Sequence, residues 1–320
     1  MPKGSKGSGK MYRVDVIIPT YKPDKSFFHI LDMLNKQTIK PETIIIMNTE
    51  EKYFNQLVYG SDFSKKYKEC KVYHHSKLEF DHAATRNRGV ARSKADYFVM
   101  MTQDAEPADE YLLENLLKPL VEKKAAVSYA RQLPKADCNP MECYTRQFNY
   151  PEESLIKGEE DINRLGIKTY FCSDVCAAYD RQIYNDLGGF VKRAIFNEDM
   201  LYAAKAVKAG EHIAYCADAK VYHSHNYTAK EQFHRNFDLG VSQADHPEVF
   251  AGLPSEGEGV RMVKQTAAYL WNNGYKNLVP KLIWISGAKW FGFRLGKMYR
   301  KFPRSWVLKF TGSPLYWKKK

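Results

Sequence analysis

The sequence holds no run of about 18 uncharged apolar residues, so a bilayer-spanning helix is not expected. Its first ten residues are rich in Gly, Ser and Lys and have no apolar stretch. A secretory signal peptide is not expected there, and a disordered arm is, over residues 1–10. Only six cysteines occur in 320 residues, and no two form a CxxC pair. A disulfide framework is not expected; a reduced, cytoplasmic chain with free thiols is. Cys172 and Cys176 read as buried thiols rather than zinc ligands. Acidic residues are missing from 259–320, a stretch with 14 Lys/Arg and all five tryptophans. The rest of the chain carries 35 basic and 37 acidic residues. A nucleic-acid binder would spread basic residues over its fold, so no nucleic-acid partner is expected. A basic, aromatic tail on a near-neutral body points instead to an anionic membrane surface.

What is present alternates. Val14, Asp15, Val16, Ile17, Ile18, Pro19, Thr20 and Tyr21 read as a buried strand stopped by a loop. Helical periodicity follows over 27–37, then strands over 42–47 and 71–75, a helix over 81–91 and a strand over 96–101. Strands alternating with helices predict an α/β fold with a mostly parallel sheet covered on both faces. Ligands then bind beyond the carboxyl ends of the strands, where the polar residues Thr20, Asn48 and Asp104 stand. Residues 125–170 read as irregular. A strand is expected over 171–180, a helix from 197 through 209 capped by Asn197, and a strand over 213–222.

Four groups of residues suggest chemistry. Asp104, at a strand end beside Gln103 and Glu106, is placed to hold a hard divalent cation, Mg²⁺ or Mn²⁺, or is a solvated loop carboxylate. His223 and His225, two apart, project to one face of an extended segment and suit the same cation. Glu198 and Asp199 open a helix, where one serves as general base or both answer the helix dipole. Arg86 or Arg88 could contact phosphate, and Asn87 could cap the helix or contact the ligand.

The order of these groups resembles family 2 glycosyltransferases of the GT-A fold, most closely bacterial rhamnosyltransferases, over about residues 13–240. The matching residues are Val16 to Tyr21; Phe80, Asp81 and His82 with Thr85 to Gly89; and Thr102, Gln103, Asp104 and Ala105. Further on they are Ser173 and Asp174 with Ala177 to Tyr179, Gly188 to Phe190, Glu198 with Asp199, and His223 to His225. The resemblance implies a GT-A nucleotide-sugar-binding fold over 11–257 and an inverting transfer to a lipid-linked glycan in cell-surface polysaccharide biosynthesis. Its implied donor is dTDP-rhamnose. A same-fold transferase using a UDP-hexose is one alternative, and a non-catalytic sugar-nucleotide or glycan-binding module at the membrane is another.

By the same resemblance Pro19, Thr20 and Tyr21 border the nucleotide, with Asn48, Glu50, His82, Arg86, Asn87, Gln103 and Asp104 completing the nucleotide-sugar side. Asp104 binds the metal, assisted by His223 or His225; Asp199 is the base; Asp174 and Glu198 orient the acceptor. The chain departs from the family at Asn48, where an Asp is usual. It departs again at Gln103, which removes a negative charge near the sugar and suits a deoxysugar.

The tail, 258–320, predicts an amphipathic helix from Pro280 onward. Trp284, Ala288, Phe291, Leu295, Met298, Tyr299 and Phe302 fall on one face, with Lys289, Arg294, Lys297, Arg300, Lys301 and Arg304 opposite. Such a helix lies on anionic lipid and places the protein peripherally at the inner face of the cell membrane; packing on a partner, a homodimer included, is the other reading. On the membrane reading the tail is separable: loss of 281–320 removes vesicle binding and leaves donor hydrolysis.

Overall fold

The computed structural model describes residues 12–253 and 256–319. The expected arm over 1–10 lies outside the described residues. The first strands are β1 (Val14–Tyr21), β2 (Thr43–Thr49), β3 (Cys70–His75) and β4 (Tyr97–Met101). Then follow β5 (Glu106–Pro107), β6 (Val127–Leu133), β7 (Leu155–Lys157), β8 (Cys176–Asp180) and β9 (Ile213–Tyr222). One sheet takes them in the order β3-β2-β1-β4-β8-β6-β9-β5, with β7 added on β9. The pairs β3-β2, β2-β1, β1-β4 and β6-β9 are parallel. Strand β8 runs against both β4 and β6, so β6 and β9 share the direction of the first four strands.

The continuous apolar run of β1 and β2 is explained by burial of both sheet faces. Ile17 and Ile45 enter one core, while Val16, Ile18, Ile44 and Ile46 enter the other. The second core is covered by α1 (Ser26–Asn35) and α2 (Leu112–Val121), through Phe27, Leu31, Leu34, Leu113, Leu116 and Leu120. The first is covered by α3 (His82–Arg92) and, later in the chain, α5 (Glu198–Lys208), through Val90, Leu201, Tyr202 and Val207.

The stretch expected to be irregular, 125–170, is ordered. It holds β6, β7 and α4 (Pro140–Asn149), whose cap Asn139 accepts from the amides of Met141 and Glu142. Strand β6 shows no clean alternation because it is an inner strand whose burial is set by neighbours remote in sequence. A register shift beside Ala130 further interrupts its pairing with β9.

The tail is corrected more deeply. After α6 (Ala229–Asp245) and α7 (Glu256–Asn272) comes α8 (Val279–Lys297), which ends at Met298. The helix is there, but its buried side is Leu282, Gly292, Phe293 and Gly296, not the aromatic stripe. Trp284, Phe291 and Met298 of that stripe are exposed, and only Tyr299 of it is buried. Glycine is the reason. A Cβ on Gly292 would stand 2.3 Å from Phe233 O, and one on Gly296 2.1 Å from Phe237 O. Backbone therefore meets backbone between α8 and α6, a contact that an apolarity pattern does not weigh. The chain then turns at Phe302 and Pro303 into α9 (Arg304–Phe310) and folds back, burying Trp317 against Tyr299. The expected boundary at 257/258 falls inside α7.

Candidate active site

Strands β1, β2 and β3 end in register, Thr20 beside Asn48 and Asn48 beside His74. Their polar ends bond one another: Thr20 Oγ1 donates to Asn48 Oδ1 at 3.0 Å, and Asn48 Nδ2 lies 2.9 Å from His74 Nδ1. The side chain of Gln103 grips the Tyr21 backbone twice, accepting from its N–H at 2.8 Å and donating to its carbonyl at 3.0 Å. Above this row lies a cavity of about 340 Å³ lined by Tyr21, Thr49, Lys77, Phe80 and His82, among others.

Of the residues expected on the nucleotide-sugar side, Tyr21 and His82 line this cavity. Thr20, Asn48 and Gln103 form its framework instead, because their polar groups are bonded internally. Pro19 sits in β1 beside Met47. The Glu50 backbone takes a left-handed φ of 65°, and its carboxylate accepts from Lys77 N at 2.5 Å, fixing the loop that carries Lys77.

A second cavity of about 410 Å³ has Asp199, His223 and His225 in its wall. Asp104, His223 and His225 offer ligand atoms that all lie within 4.8 Å of one another. His225 Nε2 is 3.1 Å and His223 Nε2 3.6 Å from Asp104 Oδ2. His223 Nδ1 faces Gln132 Oε1 at 3.0 Å, so that nitrogen carries the proton and Nε2 keeps its lone pair toward the cluster. The amide of Gln132 is itself oriented, accepting from Arg146 Nη1 at 2.6 Å and donating to Ser173 Oγ at 3.0 Å. Burial pushes His223 down to about 3, which keeps it in the neutral, ligating form. Burial would raise Asp104, but the hydrogen bond from His225 acts against it, and the carboxylate lies well below its ordinary value. One carboxylate and two imidazoles in this arrangement fit a divalent cation.

Behind this cavity lies a buried ion cluster. Arg86 Nε reaches Asp174 Oδ2 at 2.8 Å, and Arg86 Nη1 reaches Glu198 Oε1 at 2.8 Å. All three side chains are at least nine-tenths buried. Arg86, expected on the nucleotide-sugar side, thus has its guanidinium engaged by two carboxylates. Asp174, expected to orient the acceptor, accepts from Tyr179 OH at 2.6 Å and faces inward. Asn87 is also structural, donating to the carbonyls of Phe190 and Val191 and accepting from Tyr184 OH.

Asp199 alone of the three carboxylates lines the open cavity. Its Oδ2 accepts from Asp174 N at 3.1 Å and its Oδ1 from Met200 N at 2.8 Å. Burial, then the charges of Glu198 and Asp174, raise its pKa well above the ordinary carboxylate range. Burial also raises Glu198, but Arg86 and His82 outweigh it and keep Glu198 below its usual value. Asn197 precedes the pair with a left-handed φ of 64° and makes no side-chain cap bond, contrary to the expected cap. The sharp turn there lets consecutive residues point to opposite sides of the helix start.

Several cavity residues gave no sequence signal. Gln132 ends a strand whose place was not legible, and Arg146, Arg235 and Lys289 come from three separate helices. Exposed-looking basic residues on helices carry no mark of function in a sequence.

The family description "Glycosyl transferase family 2" matches residues 15–188. The chain is 37% identical over 309 residues to the O-antigen chain rhamnosyltransferase RfbN of Salmonella typhimurium, covering 95% of this chain and 96% of that protein. It is likewise 37% identical over 319 residues to the O-antigen chain rhamnosyltransferase WbaN of Salmonella anatum, covering 94% and 95%. Among solved structures, the mannosyltransferase PcManGT from Pyrobaculum calidifontis, in complex with GDP-Man and Mn²⁺, is similar in fold. Its TM-score is 0.55 at 14% identity, covering 97% of this chain and 87% of that one. With the fold, the carboxylate and histidine cluster, and relatives matched along nearly the whole chain, this protein belongs to glycosyltransferase family 2.

Proposed function

We propose that the protein is an inverting rhamnosyltransferase that moves rhamnose from dTDP-rhamnose to a lipid-linked glycan during O-antigen assembly. The observation that carries this reading is the sharing of one cavity by Asp199, His223 and His225, with Asp104 clustered against the two histidines. Asp199 takes the proton from an acceptor hydroxyl, the oxygen attacks the anomeric carbon from the face opposite the diphosphate, and the bond to the diphosphate oxygen breaks with its electron pair. Asp104, His223 and His225 would hold Mn²⁺ or Mg²⁺, which would neutralise charge on the leaving diphosphate. Arg86 keeps Glu198 ionised beside Asp199, and that negative charge maintains the basicity of Asp199. The names of the 37% identical relatives support the sugar and the pathway. The Mn²⁺ and nucleotide sugar bound to PcManGT support the cofactor and donor class.

The membrane reading is kept on a changed surface. None of the described helices is long and apolar enough to cross a membrane. Trp271, Trp284, Trp290, Phe291 and Trp306 are exposed on the tail elements, among its Lys and Arg residues. Exposed aromatic rings beside cations suit the interface of an anionic bilayer, and thereby a peripheral position at the cytoplasmic face. The test of function is incubation of purified protein with dTDP-rhamnose, Mn²⁺ and a lipid-linked acceptor, beside a panel of UDP-hexoses. Acceptor-dependent release of dTDP is expected, and at least roughly a hundredfold less from Asp199→Asn. Turnover with a UDP-hexose and not with dTDP-rhamnose would replace the donor. Binding without turnover of any donor would leave a non-catalytic module.

A further inference from the structure

The nucleotide-side cavity has a wall that the family-matched region, 15–188, does not contain. Besides Tyr21, Phe80 and His82 it is lined by Gly312, Ser313, Pro314, Leu315 and Tyr316, more than 200 residues later in the chain. Two anchors hold this segment. Buried Asp238 of α6 accepts from Thr311 Oγ1 at 2.5 Å and from Gly312 N at 3.0 Å. Arg193 donates to the Tyr316 carbonyl, and its guanidinium lies 4.1 Å from the Tyr316 ring centre. Arg193 Nε also stands 4.0 Å from Asp81 Oδ2, the carboxylate whose Oδ1 caps α3 just before His82. The two sides of the cavity are thus tied through a shared residue.

We propose that residues 312–316 form the second wall of the nucleoside pocket, so that the C-terminal segment determines donor affinity. This rests on the proposed function. The chemistry fits a nucleoside: aromatic rings of Tyr21, Phe80 and Tyr316 offer flat apolar surface for a base, and Lys77 supplies a cation. At about 340 Å³ the cavity is in the size range of a small-molecule site. The tail is then part of the donor site rather than a separable membrane anchor, and loss of 281–320 disables donor binding.

The test is calorimetric titration of the full-length protein with dTDP and with UDP in the presence of Mn²⁺. It is repeated on a variant ending at Phe310 and on Ser313→Trp, which fills the cavity without removing the segment. Both variants are expected to bind about tenfold or more weakly, the size of losing one apolar or aromatic contact surface. Ser313→Trp should keep the melting temperature of the parent. Asp199→Asn, in the other cavity, should keep its dTDP affinity. Inorganic pyrophosphate should bind parent and Ser313→Trp alike, because only the nucleoside end meets the tail. Equal dTDP affinity in the parent and Ser313→Trp overturns the inference while leaving the proposed function intact. No binding of either nucleotide by the parent overturns the proposed function and this inference with it.

Discussion

Glu198 and Asp199 are adjacent in sequence and sit on opposite sides of one boundary. Glu198 points into a closed compartment where Arg86 meets it at 2.8 Å, and it stays ionised. Asp199 turns to the open cavity, has no salt-bridge partner among the described residues, and is raised by burial and by the two carboxylates behind it. Environment separates two chemically similar groups into a fixed anion and a proton acceptor. The difference also shows how a buried ion cluster serves an active site without touching substrate.

The comparison breaks most sharply at Asp199. Asp199→Asn should lower turnover by roughly 10²–10⁴-fold, the range for a lost general base, with dTDP binding retained. A residual rate within tenfold of the parent would assign the base elsewhere. Next is Arg86→Met, which leaves Asp174 and Glu198 buried without their cation. It should cost about 3–5 kcal/mol in stability by denaturant unfolding, a loss that a mere surface pair would not produce. Gln132→Leu should weaken Mn²⁺ binding by about 10–100-fold, since His223 loses the partner that fixes its tautomer. Metal titration followed by thermal shift reads this directly.

The pH dependence sharpens the same comparison. The folded pKa of Asp199 is raised above its unfolded value, so the folded chain holds a proton that the unfolded chain releases near pH 4. Stability from this group is present below that pH and is lost as pH rises toward the folded pKa. Asp199→Asn removes the loss, so at pH 8 the inactive variant should melt higher than the parent. Parent turnover should rise with pH along an acid limb lying well above an ordinary carboxylate. The smallest effect is at the surface: Trp284→Ser with Trp290→Ser should reduce binding to anionic vesicles about tenfold and leave turnover on a water-soluble acceptor unchanged. Undiminished vesicle binding would remove these rings from the membrane reading.

Much of the first half was legible in the sequence. Strands β1 to β4 carry apolar runs with polar ends, and both faces of the sheet are buried, so composition along each strand already states its place. Strand β9 and helix α5 were readable for the same reason. Strand β6 was not, because neither period nor flanking turns mark an inner strand that pairs with β8 and β9. Motif order pointed to Asp104, Asp199, His223 and His225, and these stand in one region of the fold. It could not separate ligand contacts from supports: Arg86, Asn87, Gln103 and Asp174 are all engaged inside the protein.

The sequence by itself determined the sheet's first strands, the charge and tryptophan segregation of the tail, and the short list of reactive groups. These depend on local periodicity and residue chemistry, which a linear reading contains. Tertiary structure alone decided which neighbour of each carboxylate is a cation and which is open space. It also decided which face of α8 is buried, through glycine contacts of backbone on backbone. And it brought Gly312 to Tyr316 against Tyr21, because a pocket wall made from the two ends of a chain exists only once the chain has closed on itself.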